Sequence, residues 1–310
     1  MIAQSTNTVL MVRPASFGSN PTTLDSNVFQ SEAVGDPEQI RAAARREFDA
    51  LVAALRAAGV SVVVTDDPAI PAKPDAVYPN NWFTTHADGH AILYPMLSPS
   101  RRLERRPGAL ISAAKSAAFD LRIIDTTLVR EFEGKGRYLE GTGSMVFDRA
   151  NAVAYACRSP RTDEGIFNRL CMTIGFEPVL FDATDAKGGA YYHTNVMLSI
   201  GADFIVICLE AIDSEQRDSV RSRLESTGHE ILEISRDQAA SFGANVLELS
   251  SADGARVLAL SDAALGALGP HADTLRAKGL TLAHAPIPTI ERFGGGSARC
   301  MIAELFWPKA

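Results

Sequence analysis

HTNVMLSIGADFIVICLEA, residues 193–211, reads as a polar start, a short apolar strand, a turn on Gly201, Ala202 and Asp203, and a second apolar strand. Glycine and aspartate supply the backbone conformations that a hairpin turn needs. The same order recurs in NNWFTTHADGHAILYPML (80–97), GTGSMVFDRANAVAYACRS (141–159) and GANVLELSSADGARVLALS (243–261). Helical stretches follow the hairpins at Arg101 to Ala118, Asp163 to Thr173 and Ser214 to Thr227. Short strands then begin at or beside a glycine: GFEPVLFD, GHEILEIS and GLTLAHAP. GVSVVVTD, after a helix from Pro37 to Ala58, belongs to the same series. The unit is strand, strand, helix, strand, with a period of about 50–60 residues, in the range of arrays and propellers. A fifth unit assembles from NTVLMVRP (7–14) and SARCMIAELF (297–306), which closes a ring and removes open edges between units. The expected fold is α/β, a five-bladed pseudosymmetric propeller of ββαβ units around a central channel, with residues 1–310 as one domain.

Composition sets the outer limits. The 310 residues are 46% hydrophobic and 22% charged, ordinary for a globular protein with a sizeable core. A formal charge of −7 argues against nucleic acid as a partner, and the arginines at 101, 102, 105 and 106 are interrupted by Glu104. No run of 18 apolar residues predicts a membrane span, and the N-terminal stretch lacks the pattern of a secretory signal. Cys157, Cys171, Cys208 and Cys300 are widely spaced, which fits reduced thiols in a cytoplasmic protein and excludes a zinc knuckle. The expected partner is a small molecule; a homo-oligomer is left open.

In each unit polar residues stand just before the first strand: Asn80 and Asn81, Glu140, His193 and Asn195, Asn245, and Cys300. In a ring, equivalent positions converge on the axis. Five stretches would then bring amides, a carboxylate, an imidazole and a thiol into one pocket. Cys300 follows Gly294, Gly295 and Gly296. Such a run leaves backbone N–H groups free and lets a substrate come close. His193 can serve as base, acid, or both in turn. Glu140 can hold a substrate N–H or orient His193. Asp75 is a second acceptor candidate, and Arg101 and Arg161 are candidate anchors for a carboxylate. His86 lies near the first convergent position, and the polar loop 14–36, with Asn27 and Gln30, is long enough to cover the channel.

These motifs together resemble the guanidine-modifying (pentein) superfamily of arginine deiminases, dimethylarginine dimethylaminohydrolases and amidinotransferases. GGGSARCMIAE is similar to the family's nucleophile motif, YYHTNVM to its histidine motif and LEGTGSM to its acidic motif. The resemblance implies a five-fold α/β propeller with Cys300 as nucleophile, His193 as general acid/base and Glu140 as orienting carboxylate. PDAVYPNN resembles a dimethylarginine hydrolase segment that carries Asp75, while PSRR and SPRT resemble that group's carboxylate-binding arginines at Arg101 and Arg161. No metal or organic cofactor is implied.

The departures concern charge. Asn80 and Asn81 stand where dimethylarginine hydrolases carry two acids, and Asn195 stands where deiminases carry an aspartate. Carboxylates offset the desolvation of a cationic guanidinium, whereas amides suit a neutral ureido group that needs donors and acceptors. PNNWF, LEGTGSM and HTNVML are together most similar to the citrulline utilisation hydrolases, CtlX-type. That branch implies hydrolysis of L-citrulline to ornithine, ammonia and carbon dioxide. Arginine or dimethylarginine hydrolysis to citrulline is the alternative, amidino transfer a third, and a non-catalytic amino-acid binder another.

Overall fold

The hairpin chemistry produces five three-stranded sheets of one topology. The computed structural model describes residues 3–310. β1 (Thr8–Arg13) lies parallel to β2 (Ser61–Asp66). The next four sheets are β3 (Phe83–Thr85), β4 (His90–Leu93) and β5 (Ile123–Asp125); β6 (Met145–Asp148), β7 (Val153–Cys157) and β8 (Glu177–Phe181); β9 (Leu198–Ile200), β10 (Phe204–Ile207) and β11 (Glu230–Glu233); and β12 (Leu247–Ser250), β13 (Arg256–Ser261) and β14 (Thr281–Ala285). In each, the first strand is antiparallel to the second and the second parallel to the third. β15 (Ala303–Glu304) pairs antiparallel with β1, Val9 opposite Glu304 and Leu10 opposite Ala303. The fifth sheet is thus completed from both ends of the sequence, as the repeat pattern predicts.

A helix covers the crossover from second to third strand in every blade, as a parallel connection requires. The first crossover helix, Pro37–Ala57, is capped by Asp36, whose side chain accepts from the Glu38 amide. It buries Ile40, Ala44, Phe48, Leu51 and Leu55 at helical spacing. Glu164–Ile174 is capped by Asp163 and ended by Gly175 in the left-handed region. The helix expected from Arg101 to Ala118 is instead two pieces, Pro99–Arg102 and Pro107–Ser116. Pro107 cannot continue a helix in which its own N–H would be bonded, and it starts the second piece. The inner and middle strands are buried almost throughout, whereas the outer strands are partly exposed. Apolar clusters lie between neighbouring blades: one joins Leu10, Trp82, Leu93, Leu110 and Trp307, another Ile92, Met145, Phe147 and Phe167. The ring's centre is therefore left to polar groups.

Candidate active site

Four of the five inner strands are preceded by a single helical turn that is wholly buried: Pro79–Asn81, Gly141–Ser144, Thr194–Val196 and Ala298–Met301. In the remaining blade Asn245 occupies the equivalent place. These turns bring the predicted groups together at one end of the channel. The Cys300 sulfur accepts from Asn245 Nδ2 at 3.4 Å and from Asn195 Nδ2 at 3.6 Å. Asn245 is itself fixed, its Nδ2 also donating to the Asn195 backbone carbonyl at 2.8 Å. Burial pushes the Cys300 thiol above its usual range, and the two amide contacts pull it back only in part.

His193 Nε2 lies 2.9 Å from Glu140 Oε2. A carboxylate can only accept, so Nε2 carries the hydrogen and Nδ1 keeps a free lone pair. Burial opposes ionisation of Glu140, but Arg161, His193 and Arg101 together hold its carboxyl well below the usual range. Its other oxygen accepts from the Leu97 amide at 3.0 Å. Burial lowers the His193 imidazole to about 4 despite Glu140, so the folded site holds it neutral near pH 7. On unfolding it returns toward 6.5, and the unfolded state takes up a proton between about pH 6.5 and 4. Stability from this residue is present above that window and is lost as pH falls through it. Thermal unfolding of the wild type and His193→Gln from pH 7.5 to 4 should show the gap in melting temperature shrinking as pH falls. A constant gap would refute the neutral imidazole.

A small cavity beside Cys300 is lined by Asp75, Asn81, Arg101, Arg161 and His193, all expected. Asn195 and Asn245 back the sulfur and Glu140 backs the imidazole. Asn80 differs: it does not line the cavity, and its Nδ2 is 3.3 Å from Thr142 Oγ1. Successive residues of a tight helical turn point about a third of a turn apart, and here only one of the pair looks inward. Asn81 does, and its Nδ2 has no partner among the described residues. Asp75 Oδ2 accepts from Asn20 at 2.7 Å, while Oδ1 is buried and unpartnered. Arg161 donates to Ser26 at 2.7 Å and approaches Glu140 at 3.4 Å, with Nε unpartnered. His86 does not belong here; it follows the far end of β3, and burial lowers its imidazole to about 3.

Two features were missed in the sequence, and a third, the covering loop, was foreseen. Arg101 is gripped by Glu104 through two 3.0 Å hydrogen bonds, so the acid that interrupts the arginine run is a buried partner of the site. The spacing of three residues is the one available signal. Tyr78 and Tyr192 also line the cavity, and their hydroxyls donate to the carbonyls of Gly296 and Gly295. The loop 14–36 is folded over the site: Asn27 donates to the carbonyls of Gly294 and Gly295, and Gln30 to that of Phe293. What remains inside is room for about one water molecule.

The glycine run also has a role beyond the one expected. A Cβ on Gly294 would stand 2.0 Å from the Tyr78 hydroxyl, and one on Gly295, at φ +67°, 2.6 Å from Asn27 Nδ2. These two glycines make room for the tyrosine and the covering loop, and both also line the cavity beside Cys300. Gly294→Ala should cost about 1–3 kcal/mol, the usual range for overpacking a filled site. Denaturant unfolding measures this, and a variant as stable as the wild type would show that Tyr78 yields freely.

A family model described as N,N-dimethylarginine dimethylhydrolase, eukaryotic, matches residues 13–307. No curated protein matches by sequence. Among solved structures, the substrate-bound N-terminal domain of ArgZ, an arginine dihydrolase from the ornithine–ammonia cycle in Cyanobacteria, superposes with a TM-score of 0.73 at 14% identity, over 98% of this chain and 99% of that one. AgrE in complex with ornithine and NAD+ gives 0.74 at 15% identity, over 97% of this chain and 39% of that one. A dimethylarginine dimethylaminohydrolase adduct with S-methyl-L-thiocitrulline gives 0.63 at 13% identity, over 98% and 100%. At these identities the structural likeness speaks for the fold, the five-bladed α/β propeller.

Proposed function

Because the chain belongs to the N,N-dimethylarginine dimethylhydrolase family, we propose that residues 1–310 form one catalytic unit, a cysteine hydrolase that cleaves a C–N bond at the end of an arginine-type amino acid. We assign Cys300 as nucleophile, His193 as general acid and base, and Glu140 as the group that orients and polarises His193. Asn81, Asn195 and Asn245 would serve the reacting group, and Asp75, Arg101 and Arg161 the amino-acid end. Asn80 would act behind them, holding the Gly141–Ser144 turn through Thr142.

The finer reading is hydrolysis of the ureido group of L-citrulline, in the citrulline utilisation (CtlX-type) branch. The observation that carries it is the pair of carboxamides, not carboxylates, at 3.4 and 3.6 Å from the Cys300 sulfur. A neutral ureido group needs donors and acceptors there rather than negative charge. Glu140 and Glu104 are already engaged by Arg161, His193 and Arg101. In this mechanism the Cys300 proton passes to His193 Nδ1 as sulfur bonds to the ureido carbon. The imidazolium returns that proton to the departing amine as the C–N bond breaks, releasing ornithine and leaving a carbamoyl thioester. Water, deprotonated by His193, then attacks the thioester carbon; the C–S bond breaks, the imidazolium returns the proton to the Cys300 sulfur, and the carbamate released decays to carbon dioxide and ammonia.

One observation favours the other reading, arginine or dimethylarginine hydrolysis to citrulline. Asp75 Oδ1 is a buried carboxylate oxygen with no partner, and in that reading it would face the guanidinium rather than the α-ammonium that both substrates share. Mass spectrometry of products from citrulline, arginine and dimethylarginine, given in parallel, separates the two. Ornithine from citrulline is the expected result; citrulline formed from the other two, with citrulline itself inert, would overturn the ureido reading and keep the nucleophile.

A further inference from the structure

The inner strands all run away from Cys300, so the residues that follow them mark the other end of the channel. Arg149 comes directly after β6, whose four residues span about 13 Å at a usual strand rise. Its side chain is 5% exposed. The guanidinium lies 3.8 Å from the ring centroid of Phe306 and 5.0 Å from that of Phe147. Among the described residues no carboxylate stands at ion-pair distance from it, and its side chain makes no hydrogen bond. The other buried arginines all have acids: Arg101 has Glu104, Arg161 has Glu140 and Arg299 has Glu304 at 3.1 Å. Glu304 lies nearby but is held by Arg299. Burial lowers Arg149 from its usual range, yet an arginine does not give up its proton near neutrality. Two aromatic faces stabilise it only in part. Its nitrogens are not among the fully enclosed unpartnered atoms, so they face the open space beside them, where an anion can take the place that protein partners leave free.

Arg149 opens into a cavity of about 450 Å³ that is also lined by His86, Asp88, Asp125, Phe176 and Phe306. That volume suits a small organic molecule. The rest of the lining selects among anions. Asp88 and Asp125 would repel a dianion such as phosphate, and His86 is held neutral. Asp88 is occupied by His90, through its amide and its ring. Asp125 uses one oxygen on the Thr127 amide. A single cation, one acid with an oxygen to spare and apolar walls together fit a small zwitterion. We propose that this cavity is a second ligand site, separate from the Cys300 cavity, which takes a free α-amino acid with its carboxylate on Arg149 and its ammonium toward Asp125.

The test requires no loss of fold. Phenylglyoxal labelling of the wild-type protein, mapped by mass spectrometry, reads Arg149 directly, with acetate and glycine as probes at tens of millimolar. Both should slow the labelling of Arg149, glycine at about tenfold lower concentration than acetate. Asp125→Asn should remove glycine's advantage and leave acetate unchanged. Calorimetric titration of Arg149→Gln with glycine should lose the corresponding binding. Unaltered labelling in the presence of either probe would overturn the site. Equal protection by the two, in wild type and Asp125→Asn alike, would overturn the zwitterion in favour of a simple carboxylate. Inorganic phosphate protecting better than both would overturn the charge argument.

Discussion

Cys300→Ala should lose at least about 10⁴-fold in kcat, because no other group at the site can form the thioester. The change removes one buried sulfur whose hydrogen-bond donors are Asn195 and Asn245. The fold should survive, at a cost of about 1 kcal/mol for the lost volume. Substrate should still bind, since the groups assigned to the amino-acid end are untouched. Steady-state kinetics with calorimetric binding of citrulline and arginine measures both quantities. Retained turnover would remove Cys300 from the chemistry, while lost binding with an intact fold would make the thiol a structural residue. Acid-quenched wild type should carry the mass of a carbamoyl group, and Cys300→Ala should not.

Glu140→Gln is the second large effect, and it acts on two quantities. Glu140 meets His193 at 2.9 Å, Arg161 at 3.4 Å and Arg101 at 3.6 Å, with no exposure to solvent. An amide keeps the shape and removes the charge. Two guanidinium groups then lose a buried counter-charge, which destabilises by about 3–5 kcal/mol. His193 also loses the acceptor that fixes its Nε2 hydrogen, so Nδ1 is no longer held as the base. Loss of positioned acid–base catalysis is worth about 10²–10⁴-fold in kcat. The split matters: a purely structural carboxylate would lower the melting temperature and leave kcat per folded molecule unchanged. A fall of less than about tenfold in kcat, measured where the variant is fully folded, would give Glu140 that lesser role.

Most of the architecture was legible because its signals are local. The turns at Asp88–Gly89, Gly201–Asp203 and Asp253–Gly254 sit between apolar runs, and a short turn leaves adjacent strands nowhere to go but side by side. The polar residues before the inner strands were legible for the same reason, since one turn position recurs in each blade. What escaped is tertiary. Glu104 looks like relief in a basic run, and only the fold buries it against Arg101. The glycines before Cys300 signal that larger residues are forbidden, but not which neighbour forbids them; the neighbour is Tyr78, more than two hundred residues earlier. Asn80 and Asn81 are chemically alike, and only the turn geometry separates the one that faces the cavity. Pro107 carried a readable signal, a helix start, inside a stretch whose composition otherwise favours one continuous helix.

The pairing of β15 with β1 bears on the order of assembly. Val9 and Glu304 are partners across nearly the whole sequence, so their meeting closes one of the longest loops among the described residues. The entropic cost of such a closure grows only slowly with length, but a contact so distant in sequence forms late and sets a slow pace. During synthesis the first four repeats can pair within themselves as they emerge. The strand that follows Cys300 emerges after these four repeats, and it has to find a partner made before them. The thiol therefore cannot take its place between the two asparagines until the other four units have been made, and a nascent polypeptide short of that point holds every other element of the centre without its nucleophile.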